Sequence, residues 1–157
     1  LYAPVIEIMS GFNGNLQVFA TDSVILQPGA KLGYPSTIVL SNEQGILGSC
    51  IKLENGSRIS GTVAYLNPAG NKNRQENLII HEDALITGAA YVQGNTANYG
   101  NIHGCLMTRR CIVKTDKGIY PDFIYNGVFD ATLLPAEYVN GNLLKDFSRK
   151  KIVKWAG

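Results

Sequence analysis

The residues that could do chemistry are few and scattered. Histidine occurs twice, as His81 and His103, and the twelve carboxylates are spread along the chain. A general base needs a cleft and a partner that orients it. No second residue is tied by spacing to His103 in Gly100-Asn-Ile-His-Gly104. Glycan cleavage needs a facing pair of carboxylates. Glu54, Asp83 and Asp116 fall near apparent chain corners, where an acidic residue more simply makes the turn. Cys50, Cys105 and Cys111 are an odd set, separated by 55 and 6 residues. That pattern is neither a disulfide framework nor a zinc site. They are expected to be small buried hydrophobes, with one disulfide as the alternative. There is no Walker loop, and glycines at six-residue spacing are no dinucleotide fingerprint. No catalytic residue, metal ligand or cofactor is therefore assigned, and the reading leans away from an enzyme.

Four polar and aromatic residues are candidates for surface interaction: Tyr91, Asn95, Asn98 and Tyr99, in a glycine-rich run. Exposed Tyr and Asn bind sugars or proteins by stacking and hydrogen bonding. The same residues can instead form ladders on a sheet wall. Net charge is only +2, too small to argue for nucleic acid. Its positive end is local: Lys145, Arg149, Lys150, Lys151 and Lys154 stand against Asp146. A solvated terminal segment accounts for this run, with an anionic partner as the alternative.

The elements that would position these residues show in an internal repeat. Leu26, Leu53, Ile80 and Val113 are separated by 27, 27 and 33 residues. Two residues earlier stand Val24, Ile51, Leu78 and Cys111. Six residues later stand Leu32, Ile59, Ile86 and Ile119, and twelve later Ile38, Tyr65, Val92 and Tyr125. Even offsets between apolar columns are the strand period. Turn residues sit between: Pro28-Gly29, Asn55-Gly56, Glu82-Asp83, then Asp116. The third interval reads as 27 plus one inserted six-residue side, marked by Gly88, Gly94 and Gly100. Asn55-Gly-Ser57 matches a glycosylation acceptor, but the corner explains it.

With 45% hydrophobic and 17% charged residues, the chain is no disordered segment. The columns predict one all-β domain over residues 1–157, a parallel β-helix (solenoid), with a β-sandwich as the alternative. Residues 1–23 are expected to form an N-terminal cap, 24–131 the coils and 132–157 a C-terminal cap. Residues 66–77 read as an exposed loop, and Lys150 to Trp155 as a final strand. No stretch is long and apolar enough to span a membrane. The chain opens on Leu1, which leaves room for a signal or anchor segment upstream.

The run from Ile86-Thr-Gly88 through Gly100-Asn-Ile-His-Gly104 to Ile112-Val-Lys resembles bactofilins, polymer-forming β-helical proteins of bacteria. The resemblance spans roughly residues 45–125. It implies a right-handed β-helix without cofactor or catalytic residues, and a scaffold role. This chain departs from that pattern in its longer, irregular units and its elaborate ends, which puts end-to-end polymerisation in doubt. Lys150-Lys-Ile-Val-Lys-Trp155 and Gly11-Phe-Asn-Gly-Asn-Leu-Gln-Val-Phe-Ala-Thr-Asp22 also resemble N-terminally anchored bacterial envelope proteins. The expected function is thus a non-catalytic scaffold or interaction module, extracytoplasmic in the bacterial cell envelope, with a protein or glycan partner. A glycan-binding or glycan-cleaving β-helix is the first alternative. A degenerate acyltransferase-like solenoid, with His103 at a subunit cleft, is the second.

Overall fold

The structure is a computed structural model and describes residues 1–68 and 75–139. Among them are β1 (Tyr2–Ile8), β2 (Asn13–Gly14), β3 (Gln17–Leu26), β4 (Lys31–Ser41), β5 (Cys50–Leu53) and β6 (Arg58–Leu66). There follow β7 (Glu76–Ile80), β8 (Leu85–Asn98), β9 (Asn101–Thr115), β10 (Gly118–Pro121), β11 (Val128–Phe129) and a 3₁₀ turn, Ala131–Leu133.

Six strands close a ring. In order round it they are β3, β5, β7, β8, β6 and β4, and β4 pairs back to β3. Every pairing in the ring is parallel. Two long strands make the closure. β3 gives Gln17–Ala20 to β4 and Ser23–Leu26 to β5. β8 gives Leu85–Val92 to β6 and Asn95–Asn98 to β7. This corrects both the expected solenoid and its sandwich alternative: the all-β sheet closes into a six-strand parallel barrel. The physical reason is that inward–outward alternation is the same in an open and a closed parallel sheet. Closure depends on β3 and β8 being long enough to bend across two sides, which apolar offsets do not encode.

The interior is built from rows of register partners. Leu26, Leu53 and Ile80 line up across β3, β5 and β7. Leu32, Ile59 and Ile86 do so across β4, β6 and β8, and Ile102 of β9 continues that row. All seven are essentially fully buried. Burying such a side chain contributes about 1.5–3 kcal/mol, so these rows hold the ring together. The corners fall where turn residues stand. Ala30, Ser57 and Ala84 donate their N–H to the carbonyls of Gln27, Glu54 and His81 at 3.0, 3.0 and 3.1 Å. Gly29, Gly56 and Asp83 supply the left-handed φ of +73°, +69° and +60°.

Several expectations fail in detail. Ile38 pairs with Val63, and it is Leu40 that pairs with Tyr65, because β4 carries three residues between Leu32 and Ser36 where β6 carries one. The 33-residue interval is no 27-residue unit with a side added: Ile80 already meets Asn98, 18 residues on. Beyond Val113 the chain reverses. Asp116 and Lys117 turn it into β10, antiparallel to β9, with Gly118 opposite Thr115. Ile119 and Tyr125 therefore stand exposed, not in a column. At the N-terminal end, β1 and β2 run parallel to β3 and β4, and residues 17–20 of the expected cap belong to the ring itself. Within the expected loop 66–77, Asn77 is fully buried; residues 69–74 lie outside the described residues. So do the basic tail and the predicted final strand, Lys150 to Trp155.

One constraint was not visible in the glycine spacing. Gly61, Gly88 and Gly104 are register partners on β6, β8 and β9, with φ of +147°, +140° and +143°. A Cβ on each would overlap the carbonyl oxygen of Ser36, Gly61 and Gly88 respectively. Only glycine fits at these three positions. The row also receives the returning chain: Tyr138 donates its hydroxyl to the Gly61 carbonyl at 2.7 Å, and its ring lies 5.5 Å from that of Tyr34.

Candidate interaction site

The row just past the inward Leu26–Leu53–Ile80 anchors builds an outward cleft. Leaving β5, the chain places Glu54; leaving β7, His81; leaving β8, Tyr99. Backbone bonds hold them in sequence: Glu54 donates to Leu26, His81 to Leu53, and Tyr99 to Ile80, at 2.9, 2.9 and 2.8 Å. The row ends on β9, where the Lys114 amide donates to the Tyr99 hydroxyl at 3.2 Å. Lys52, Glu76 and Ile79 add one wall, and Thr115 with Asp116 the other, around a shallow cavity of about 400 Å³.

The electrostatics are balanced. Lys52 Nζ lies 2.7 Å from Glu54 Oε1, while His81 Nε2 lies 3.7 Å from Glu54 Oε2. Glu54 thus gives its short contact to the ammonium, and the imidazole is beyond hydrogen-bond range. His81 Nε2 is buried and has no hydrogen-bond partner among the described residues. The cleft presents cations at Lys52 and Lys114, anions at Glu76 and Asp116, and the aromatic side chain of Tyr99, while Glu54 is engaged by Lys52 beside it. That arrangement suits recognition of a polar, charge-balanced surface.

The four predicted surface residues separate. Tyr99 enters the cleft. Tyr91 is half-buried on β8 between Ala64 of β6 and Met107 of β9, its hydroxyl accepting from Gln93 Nε2 at 3.2 Å. Asn95 and Asn98 are buried. Asn95 Nδ2 donates to the Gln75 carbonyl at 2.8 Å, and its Oδ1 accepts from Arg109 Nη2 at 3.1 Å. Asn98 sits in the inward row beside Ile80, and its Oδ1 accepts from the Gly100 amide at 3.3 Å. These two asparagines serve the fold, because β8 bends at Gln93 and Gly94 and turns the following residues into the sheet.

Asn95 also joins a polar seam inside the wall, its amide donating to Asn77 Oδ1 at 3.1 Å. The hydroxyl of fully buried Tyr65 lies 2.7 Å from Ser49 Oγ and 3.3 Å from Asn42 Nδ2. Asn42 Nδ2 also donates to Ser49 Oγ at 2.7 Å, and Asn77 Nδ2 to the Ser49 carbonyl at 3.3 Å. Buried polar groups need such partners, and here they tie the connections between strands to the barrel.

The remaining candidates do not converge on the cleft. His103 lies half-buried on β9, opposite Thr87. All three cysteines are free, so no disulfide forms among them. Cys105 is exposed, which corrects its expected burial, while Cys50 and Cys111 are partly buried. Desolvation pushes both of these thiols upward in pKa, against a lowering by Lys52 at Cys50 and reinforced by Asp122 at Cys111. Among the described residues no group of three or more His, Cys, Asp or Glu is placed to hold a metal ion, and no helix is long and apolar enough to cross a membrane.

Sequence reasoning missed Lys52, Glu76, Lys114 and Asp116 as cleft residues. A signal existed: Gln27, Glu54, His81 and Lys114 each follow an apolar anchor and are all polar. Comparisons with protein-family models, with curated proteins and with solved structures find no match.

Proposed function

We propose that this protein is a non-catalytic scaffold or interaction module of the bacterial cell envelope, which holds a partner against the outer wall of its barrel. The observation that carries this reading is the cleft around Tyr99, where three separate strands and a hairpin contribute opposite charges to one open surface. A filled apolar interior supports it, since the accessible chemistry is then on the wall. Glu54, engaged by Lys52, is ill placed to serve His81, which weighs against proton transfer there. The resemblance of the Gly11 to Asp22 run to N-terminally anchored bacterial envelope proteins supports the envelope location.

A photoreactive amino acid at position 99 of the full-length protein, expressed in its native cells, tests this reading. The expected result is one discrete cross-linked partner in the envelope fraction. Lys52→Glu with Lys114→Glu should abolish the adduct and leave the thermal midpoint unchanged. The absence of any adduct, or an adduct confined to the soluble fraction, refutes the proposal. A turnover activity that His81→Ala removes without unfolding the protein refutes its non-catalytic part.

A further inference from the structure

From β11, beside β9, the chain reaches over β8 to β6 and β4. Its last tie to the sheet is at Asp130, whose amide donates to the Ile102 carbonyl at 2.9 Å. Two turns follow. The Leu134 amide donates to the Ala131 carbonyl at 3.3 Å, and the Tyr138 amide to the Pro135 carbonyl at 3.0 Å. Both bonds close within the segment. Among the described residues, its hydrogen bonds to the barrel are those of Tyr138 and Val139. The Tyr138 hydroxyl donates to the Gly61 carbonyl at 2.7 Å, and the Val139 amide and carbonyl are each joined to the Tyr34 hydroxyl at 3.4 Å. The Tyr34 and Tyr138 rings are tilted by 56°, with centroids 5.5 Å apart. In residues 131–139 only Leu134 and Tyr138 are half-buried, and the others are exposed. A cavity of about 260 Å³ lies between segment and wall, lined by Tyr34, Ser60 and Thr87 of the barrel and by Pro135, Glu137 and Tyr138.

We propose that residues 131–139 are a strap that opens as one unit, hinged at Asp130 and pinned by Tyr138, and so governs access to the cavity beneath it. A segment with few buried contacts opens at less cost than the sheet it lies on. Here the contacts to the barrel are concentrated at Tyr138 and its neighbour Val139, so releasing the pin releases the rest. The two internal turns keep the shape of the segment while it swings. The seat is matched to the pin: a Cβ at Gly88 would overlap the Tyr138 hydroxyl, so the phenol enters a notch that glycine leaves open. The bond to Gly61 is also easily exchanged, because hydroxyl and carbonyl both find water when they part. Closed, the strap completes the cavity; open, it leaves Tyr34, Ser60 and Thr87 to solvent. The strap and the Tyr99 cleft share no residue, so either can fail while the other stands.

A 3-fluorotyrosine at position 34 of the full chain, read by fluorine magnetic resonance, tests the strap, because residue 34 belongs to the wall and meets the ring of residue 138. Tyr138→Ala supplies the signal of an uncovered residue 34. The expected wild-type spectrum is a main signal that exchanges, by saturation transfer, with a minor one at that uncovered position. Tyr138→Phe removes the bond to Gly61 and keeps the ring, and should raise the minor population about fivefold. Neither substitution should move the thermal midpoint of the barrel. A wild type with no transfer to the uncovered position overturns the proposal. So does a minor population that Tyr138→Phe leaves unchanged, since the pin then lies elsewhere. A midpoint that Tyr138→Ala lowers as far as Ile80→Ala does also overturns it, because the segment is then part of the barrel fold. A minor population that changes with protein concentration overturns it as well, and assigns the exchange to a second copy of the chain.

Discussion

The ring and the chain that leaves it make similar use of large apolar residues in sequence and opposite use in space. Within the ring, Leu26, Leu53, Ile80, Ile59 and Ile86 are fully buried. After β9, Ile119, Tyr120, Phe123, Ile124, Tyr125, Val128 and Phe129 are each at least 36% exposed. The difference is one of pairing. Ring strands have a parallel neighbour on each side, so each inward side chain lies above and below another. β10 has one antiparallel partner, and β11 pairs with only two residues of β9. Apolar content alone does not bury a residue; registration between neighbours does.

The sharpest way to break the ring side of this contrast is at the glycine row. Gly88→Val would add a side chain at a φ of +140°, against the Gly61 carbonyl. Backbone strain and overpacking each cost about 1–3 kcal/mol, so a loss on the order of 4 kcal/mol or more is expected. Urea denaturation would measure it. A loss below about 1 kcal/mol would show that the strands can spread, and that the row is not a tight contact. Ile80→Ala comes next. It leaves a cavity between Leu53 and the β8 strand, with an expected cost of about 2–5 kcal/mol. A midpoint that barely moves would remove Ile80 from the core.

How much of this was legible follows from the same contrast. Val24, Leu26, Ile51, Leu53, Leu78 and Ile80 could be placed inward from their offsets, because a strand alternates strictly and a helix would not keep those spacings. Corners at Gly29, Gly56 and Asp83 could be placed because few residues accept positive φ. Closure was illegible: Thr21 and Asp22 do not announce that β3 bends from one neighbour to another, and Gly94, at the bend of β8, reads in the sequence as the mark of an inserted side. The reversal at Asp116 and Lys117 was misread as a fourth corner, since the same residue types serve a hairpin and a corner. In the candidate site, Tyr99 was legible as a surface aromatic. The burial of Asn95 and Asn98 was not, because polar residues inside a wall look like polar residues outside it until the bend is known.

The polar seam offers a middle case between buried and exposed apolar rows. Tyr65→Phe keeps the ring and removes one hydroxyl from Ser49 and Asn42, both buried. Their own bond at 2.7 Å survives. A loss of about 1–2 kcal/mol is expected, smaller than for Ile80→Ala because no cavity opens. Thermal unfolding of the two variants side by side would rank them. If Tyr65→Phe cost more than Ile80→Ala, the seam rather than the apolar rows would be the main constraint on the wall.

The smallest effect is expected in the chain beyond the ring. Ile124 is 48% exposed, outside the strands, in the segment between β10 and β11. Its replacement by serine removes a side chain that half faces water and creates no buried cavity. A change within about 0.5 kcal/mol is therefore expected. Ile80 and Ile124 are the same residue type, so the two substitutions isolate registration from composition. The measurement is the urea midpoint together with its slope, since an unchanged slope shows that the same surface is exposed on unfolding. A loss from Ile124→Ser approaching that from Ile80→Ala would mean that the segment after β9 is packed as firmly as the ring. The contrast between the two regions would then fail at its stronger end, because exposure would no longer tell which apolar residues hold the barrel closed.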